Sequence, residues 1–275
     1  MTRLTTAPIR PDRRGVEVPQ IERVPWSVLG PEFIRQWGRP RGKDMPEHLE
    51  VLGPTGSGKS HLLVDMLRAR VSRRGSAAIF VATKAADSTV DSLGWPVTDT
   101  WRGVTQHDQV VFWPRTREIG TKRKAFQAAR IDDLLSRLWE PEANTVLVLD
   151  EFVYVEGLTA DLKATLLMYL REGRSHGLTV VGGKQRVQGV QRDLHSETDW
   201  KAAFVMNDLD DNERLAQLFG SKRQYVPVIE SLDRERHEFL IQHKLTGTQY
   251  ISWVDRQIAP PPPPERTQSG YRKAA

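Results

Sequence analysis

Through the middle of the chain, short apolar runs alternate with longer stretches whose apolar residues recur at helical spacing. The runs fall at 48–52, 77–82, 110–113, 145–149, 178–181 and 202–206, most of them rich in Val, Ile or Phe. Near-continuous apolar character over so few residues marks strands covered on both faces. Between the first two, residues 60–73 carry Leu62, Leu63, Met66, Leu67 and Arg70 on a helical repeat, and 123–139, 159–173 and 210–219 read as further helices. Strand and helix in alternation predict an α/β fold, a mostly parallel sheet with helices on both faces. Three short alternating runs over 225–254 predict a β-rich C-terminal part containing a hairpin.

The flanks break this rhythm. Residues 1–44 hold six prolines, many arginines and no sustained period, which predicts an extended N-terminal arm with a short helix at 31–37, able to wrap a neighbouring subunit. Residues 259–275 are a proline run followed by a polar tail that cannot form a packed core. The expected domain therefore runs from 45 to 258. The net charge of +5 sits in the flanks, with +4 in residues 1–44 and +2 in 259–275, leaving the body near −1. An anionic partner must then be sought in local clusters, not in bulk charge. With no cysteine, disulfides, thiolate zinc sites, iron–sulfur clusters and cysteine nucleophiles drop out. No run reaches the roughly 18 apolar residues of a membrane span and the N-terminus lacks a signal-peptide core, so a cytoplasmic protein is expected.

Chemistry enters at Gly53-Pro54-Thr55-Gly56-Ser57-Gly58-Lys59-Ser60, which fits G-x-x-x-x-G-K-[ST] in full and lies between a strand and a helix. Its glycines let backbone N–H groups turn inward around a β-phosphate at the positive end of the following helix. Lys59 then reaches the β- and γ-phosphates, and the Ser60 hydroxyl ligates Mg²⁺. The run 145–149 ends in Asp150-Glu151. Asp150 at that strand end would help Ser60 hold Mg²⁺, and Glu151 would polarise a water for in-line attack, the work of a general base.

Positive charge on the transition state calls for an arginine. Arg174, in the turn between the third long helix and the next strand, is the candidate for a finger acting on a neighbouring molecule; a cap on that helix end is the other reading, and Arg171 the other arginine. At the tip of that strand Gln185 is placed to touch both the γ-phosphate and the attacking water, as a sensor of nucleotide state.

The order GPTGSGKS, VLVLDE and REGRSHGLTVVGGKQR resembles the FtsK/HerA superfamily of P-loop ATPases, which includes DNA pumps, conjugative coupling proteins and packaging ATPases of double-stranded DNA viruses. Arg174, Gly177 and Gln185-Arg186 fall on that family's R-x-x-G, apolar strand, T-Q-R pattern, with Lys184 where the family has threonine; residues 79–84 look like its second strand, ending in a lysine near the nucleotide. The likeness spans about residues 48–206. It implies a RecA-like (ASCE) core, a hexameric ring of identical subunits, ATP with Mg²⁺, and non-sequence-specific movement of double-stranded DNA through the pore. By position it makes Lys59, Ser60, Asp150 and Glu151 the nucleotide and hydrolysis residues, Gln185 the sensor and Arg174 the finger on the neighbour's ATP.

For gripping DNA, residues 113–124 offer five basic side chains against one acidic, and Lys184, Arg186 and Arg192 form a second group. Either group can contact phosphates without reading bases, or be a solvated loop. Asp208, Asp210, Asp211 and Glu213 precede an apolar helical stretch and are expected to cap it. The seven histidines are scattered without metal-ligand spacing and read as ordinary polar positions. The expected function is an ATP-hydrolysing motor on double-stranded DNA; the alternative is an ATP-dependent assembly switch that holds a protein partner.

Overall fold

The computed structural model describes residues 17–37, 47–71, 76–141, 143–185 and 192–254. Helix α1 (Trp26–Trp37) leads to β1 (Leu49–Leu52), the glycine turn and α2 (Lys59–Val71). Then come β2 (Ala77–Val81), α3 (Ser88–Leu93), β3 (Val97–Thr98), α4 (Trp101–Val104), β4 (Gln109–Phe112), α5 (Gly120–Leu138) and β5 (Thr145–Leu149). After α6 (Phe152–Glu156), α7 (Ala160–Glu172) and a 3₁₀ turn (Gly173–His176) follow β6 (Leu178–Lys184), α8 (Arg192–Glu197), β7 (Trp200–Phe204), α9 (Leu209–Phe219), α10 (Lys222–Glu230), β8 (Glu238–His243) and β9 (Gln249–Trp253).

These strands form one nine-stranded sheet in the order β3-β4-β2-β5-β6-β1-β7-β8-β9, parallel except where β8 and β9 join antiparallel at one edge. The six expected strands are all present, within a residue or two at each end except that β6 runs three residues further, to Lys184. Strand β6 lies between β1 and β5, its ends registered on both: Leu52 faces Lys184 and Leu149 faces Gly182. The three chain segments that leave these strands therefore emerge side by side at one edge of the sheet. That is where open α/β sheets bind ligands.

Alternation along the strands sorts the core. On one face Val51, Val146, Val148, Val181 and Phe204 pack under α1 and α2; on the other Leu147, Leu149 and Val180 pack under α5 and α7, and Leu52, Ala203 and Leu240 under α9 and α10. Helix starts are capped as expected from side-chain chemistry: Thr159 Oγ1 accepts from Leu162 N–H, and Asp208 Oδ1 from Asp210 N–H. No helix among the described residues is long and apolar enough to cross a membrane.

Two expectations are corrected. The extended arm is, over residues 17–37, part of the folded domain. Val18, Ile21, Trp26, Leu29, Phe33 and Trp37 are buried, and Phe33 packs edge-on against Trp200 with ring centroids 4.9 Å apart. Burying side chains of this size contributes about 2 kcal/mol each, which an extended arm would forgo. Val24 N–H donates to Ile251 O and Ile251 N–H to Glu22 O, both at 2.9 Å, so the segment also covers the open edge of β9. The helix is correspondingly longer than expected, Trp26–Trp37. Residues 1–16 and 38–44 of the arm, and the tail at 259–275, lie outside the described residues.

Within the β-rich part, the hairpin forms as β8 and β9, but the first run is helix α10. Ser221 caps it, and Tyr225, Val228 and Ile229 sit on one helical face against the core despite Pro227. Spacing of three and four residues outweighed the β-branched composition.

Candidate functional site

The glycine turn, the tip of β6 and the end of β5 meet at one sheet edge. Gly56 and Gly58 have φ of +82° and +98°, backbone that other residues adopt only under strain, and with them the turn closes into the start of α2. Lys59, buried, donates to Asp150 Oδ1 at 2.7 Å. From the end of β2, Lys84 reaches across to Glu151 Oε1 at 2.8 Å and lies 3.6 Å from Asp150 Oδ2. Gln185 Nε2 donates to Glu151 Oε1, while its Oε1 accepts from Thr55 Oγ1 at 3.4 Å. One amide thus touches both the glycine turn and the second carboxylate of the acidic strand end. The sequence expected Gln185 at the tip of the strand beside the acidic one, from strand order together with the family resemblance.

Packing makes this closeness possible. A Cβ on Gly183 would stand 2.6 Å from the Asp150 carbonyl oxygen and 3.0 Å from Asp150 Oδ1, so only glycine lets β6 run this near the acidic strand end. The two adjacent glycines inside a strand were the available signal, and sequence reasoning passed over them. His237, in the loop before β8, was also missed. Its φ is +54°, its Nδ1–H donates to Ser57 O at 3.0 Å, and its Cβ blocks any side chain at Gly58. No local feature announces a contact with a residue so distant in the chain.

The electrostatics are those of an open site. Burial alone would lower Lys84, but the hydrogen bond it donates to Glu151 and the charges of Asp150, Glu151 and Asp87 outweigh it and raise its pKa. Asp150 Oδ2 is buried and accepts no hydrogen bond. A buried carboxylate oxygen left in this condition is costly unless a cation or water completes it. Ser60 follows Lys59 in the first turn of α2. Mg²⁺ takes one or two protein ligands and fills its shell with phosphate and water oxygens, so Asp150 and Ser60 fit it. No group of three or more His or carboxylate residues that could hold a metal occurs among the described residues.

Next to the glycine turn, a cleft of about 120 Å³ is bounded by Pro54, Gly56, Phe204, Asn207, Arg234 and His237. It lies on the β7 side of the turn, away from Asp150 and Glu151, and is lined by one ring, Phe204, together with polar groups that include Glu238.

Arg174 lies elsewhere. The 3₁₀ turn that carries it precedes β6, whereas Gln185 follows that strand, so about 20 Å of sheet separate Arg174 from its own glycine turn. Its Nη1 donates to Asp199 Oδ1 at 2.9 Å, and Arg171 lies 3.7 Å from Glu197 Oε1. Neither arginine reaches the site of its own chain.

The basic group at Lys184 is corrected. Lys184 is fully buried and pairs with Glu50 Oε1 at 2.5 Å, while Glu50 Oε2 meets His195 Nδ1 at 2.6 Å. Period-two alternation puts Lys184 on the same face of the sheet as Glu50, between the α7 and α9 clusters, so it cannot line a pore. Burial alone would raise Glu50, but Lys184 and His195 hold it down to about 2, and burial pulls Lys184 below its ordinary value against the opposing Glu50. Arg186 lies outside the described residues. His48, read with the other histidines as an ordinary polar position, is corrected too. His48 accepts Val180 N–H on Nδ1 at 2.9 Å and faces Leu170 O with Nε2 at 3.0 Å, a geometry that requires the neutral Nε2–H form. Burial, then the charge of Arg174, against the help of Leu170 O, lower its pKa to about 3.

No family model matches the chain, and no curated protein matches it by sequence. Solved structures do. The genome packaging NTPase B204 from Sulfolobus turreted icosahedral virus 2, in complex with AMPPCP, is similar with a TM-score of 0.55 at 17% identity, over 76% of this chain and 98% of that one. The cytoplasmic domain of the type VII secretion ATPase EccC from Thermomonospora curvata gives 0.55 at 17% identity, over 78% of this chain and 26% of that one. This chain thus shares the α/β fold of these two solved ATPases, a mostly parallel sheet with helices on both faces.

Proposed function

We propose that this chain is a cytoplasmic ATPase that moves or packages double-stranded DNA, working as a homo-oligomeric, hexameric ring. The observation that carries the hydrolytic part is Gln185, whose one amide contacts both Thr55 of the phosphate turn and Glu151. The turn residues Gly53 to Ser60 would cradle the phosphates of ATP with backbone N–H groups, and Lys59 would leave Asp150 for a γ-phosphate oxygen. Asp150 and Ser60 would hold Mg²⁺, which neutralises charge on the β- and γ-oxygens. Glu151 would take the proton of the attacking water, and Gln185 would orient that water and report the loss of the phosphate. The likeness to a viral genome packaging NTPase supports DNA as the substrate of movement.

Arg174 supports a shared site. It cannot reach its own nucleotide, yet it lies, 30% exposed, at the N-terminal end of the strands, where a neighbour could receive it. The assembly-switch reading drew on an extended arm, and residues 17–37 pack on their own domain, which withdraws that support.

The test is turnover with and without duplex DNA, together with subunit mixing. ATP hydrolysis should rise severalfold with duplex. Arg174→Ala and Glu151→Gln should each be inactive alone and regain turnover when mixed, because each supplies the half that the other lacks. Hydrolysis indifferent to duplex at low salt would sink the motor, and no rescue at any ratio would sink the trans arginine.

A further inference from the structure

On the side of Asp150 and Glu151 away from the cleft beside the glycine turn, a second cavity of about 400 Å³ opens between the ends of β2 and β4. Lys84, Arg115, Arg117 and Arg123 line it. The cavity has the size of a ligand site and four cations in its wall with no carboxylate. No ion pair joins Arg115, Arg117 or Arg123 to a carboxylate among the described residues. Crowding these three guanidinium groups, none with a carboxylate beside it, against the Lys84 ammonium costs free energy, and an anionic occupant would offset it.

The floor of this cleft is built, not incidental. Thr83 O accepts from Arg123 Nη2 at 2.7 Å and from Gln127 Nε2 at 2.9 Å, and Lys84 O accepts from the Trp113 indole at 2.8 Å. Gln127 is buried and takes a further bond from Tyr154 Oη at 2.7 Å. The peptide that carries Lys84 is thereby fixed from three sides. Arg115 lies with its guanidinium 3.5 Å from the Trp113 ring centroid, which covers the aromatic face that a base would need. What remains exposed is cationic, so the cleft suits phosphate groups and not nucleobases.

Lys84 belongs to two places at once. The ammonium that lines the cleft is the one bonded to Glu151 at 2.8 Å, and its side chain remains 41% exposed. We propose that the cleft seats the phosphodiester backbone of duplex DNA, and that Lys84 transmits its occupancy to Glu151. In the DNA-free state Lys84 holds the hydrolytic carboxylate in an ion pair. A phosphate oxygen entering the cleft competes for the same ammonium, and Glu151 is freed toward the attacking water. Such a ligand shifts the equilibrium because it interacts with only one of the two arrangements. By reciprocity, the state with Glu151 freed binds duplex more tightly. This rests on the motor reading and gives it a contact surface and a route of stimulation.

The test uses the full chain, a fluorescein-labelled duplex of random sequence and ATP turnover. For Arg115→Ala/Arg117→Ala, both positions being exposed, duplex affinity should fall at least about tenfold, the slope of log affinity against log salt should become shallower by about two, and stimulation by DNA should vanish. Arg137→Ala, on the opposite end of α5, should bind within about twofold of wild type. As a positioning residue, Lys84 should govern kcat and not KM: in wild type, duplex raises kcat with KM for ATP unchanged, and in Lys84→Met the ratio of stimulated to unstimulated kcat should approach one. Wild-type binding and stimulation retained in the double arginine variant would overturn the cleft and leave the motor standing. An active ATPase that neither binds duplex nor responds to it would overturn both. Stimulation by poly-glutamate in place of duplex would assign the cleft to an acidic protein and overturn the proposal as well.

Discussion

Two clusters of lysine and carboxylate stand one strand apart on this sheet, and they differ in closure. In the first, Glu50 and Lys184 are fully buried, each oxygen of Glu50 has a partner, and His195 caps the pair. In the second, Lys59, Lys84, Asp150, Glu151 and Gln185 touch one another, but Asp150 Oδ2 is left without a hydrogen bond and Lys84 is partly exposed. The same residue types thus make a closed pair in one place and an open cluster in the other. A closed buried pair has nothing left to offer a ligand, whereas an open one holds cations and acceptors that a phosphate and its metal can complete. Lys184 and Gln185 are consecutive in the chain, one in each cluster.

The sharpest break of this contrast is Lys59→Ala. It should reduce ATP affinity at least about a hundredfold and abolish turnover, since a charge-assisted contact is lost and Asp150 is left buried without its cation; calorimetric titration with ATP checks it, and unchanged affinity would end the assignment. Glu151→Gln should bind ATP normally yet hydrolyse it about a hundredfold more slowly, measured by single-turnover phosphate release. In the closed cluster, Lys184→Met should cost about 3–5 kcal/mol in urea denaturation because it strands Glu50, and Glu50→Leu/Lys184→Met should recover most of that loss. A single variant as stable as wild type would show that the pair is not a strut.

The smallest effect concerns pH. His48 binds its proton near pH 3 in the fold and near 6.5 when unfolded, so between these values the unfolded chain holds more protons and stability falls as pH drops. From this group the loss is about 1.4 kcal/mol per pH unit below 6.5. Glu50, at about 2 against 4.5 in the unfolded chain, adds a second loss that sets in below about pH 4.5. Urea titrations at pH 7, 6 and 5 should show the first slope, and His48→Gln should flatten it.

Much of the site was legible because its parts are local. The glycine turn is contiguous, and Asp150-Glu151 ends a run of five apolar or β-prone residues, so neither required knowledge of a distant partner. Gln185 was legible through strand order. Lys184 was misplaced because a lysine after two glycines looks solvent-exposed; only the pairing of β6 with β1 aligns it with Glu50. His237, Gly183 and the Arg174–Asp199 pair each depend on a contact across the sheet. Residues 17–37 were misjudged because prolines and arginines obscure the buried series Val18, Ile21, Trp26, Phe33 and Trp37.

By itself, the amino-acid order determined the six parallel strands, the long helices between them and the positions of the glycine turn and the acidic pair, since period and motif act over a few neighbouring residues. Tertiary structure alone decided which charged groups are sealed and which stay open, because burial and pairing depend on what the far parts of the chain bring alongside.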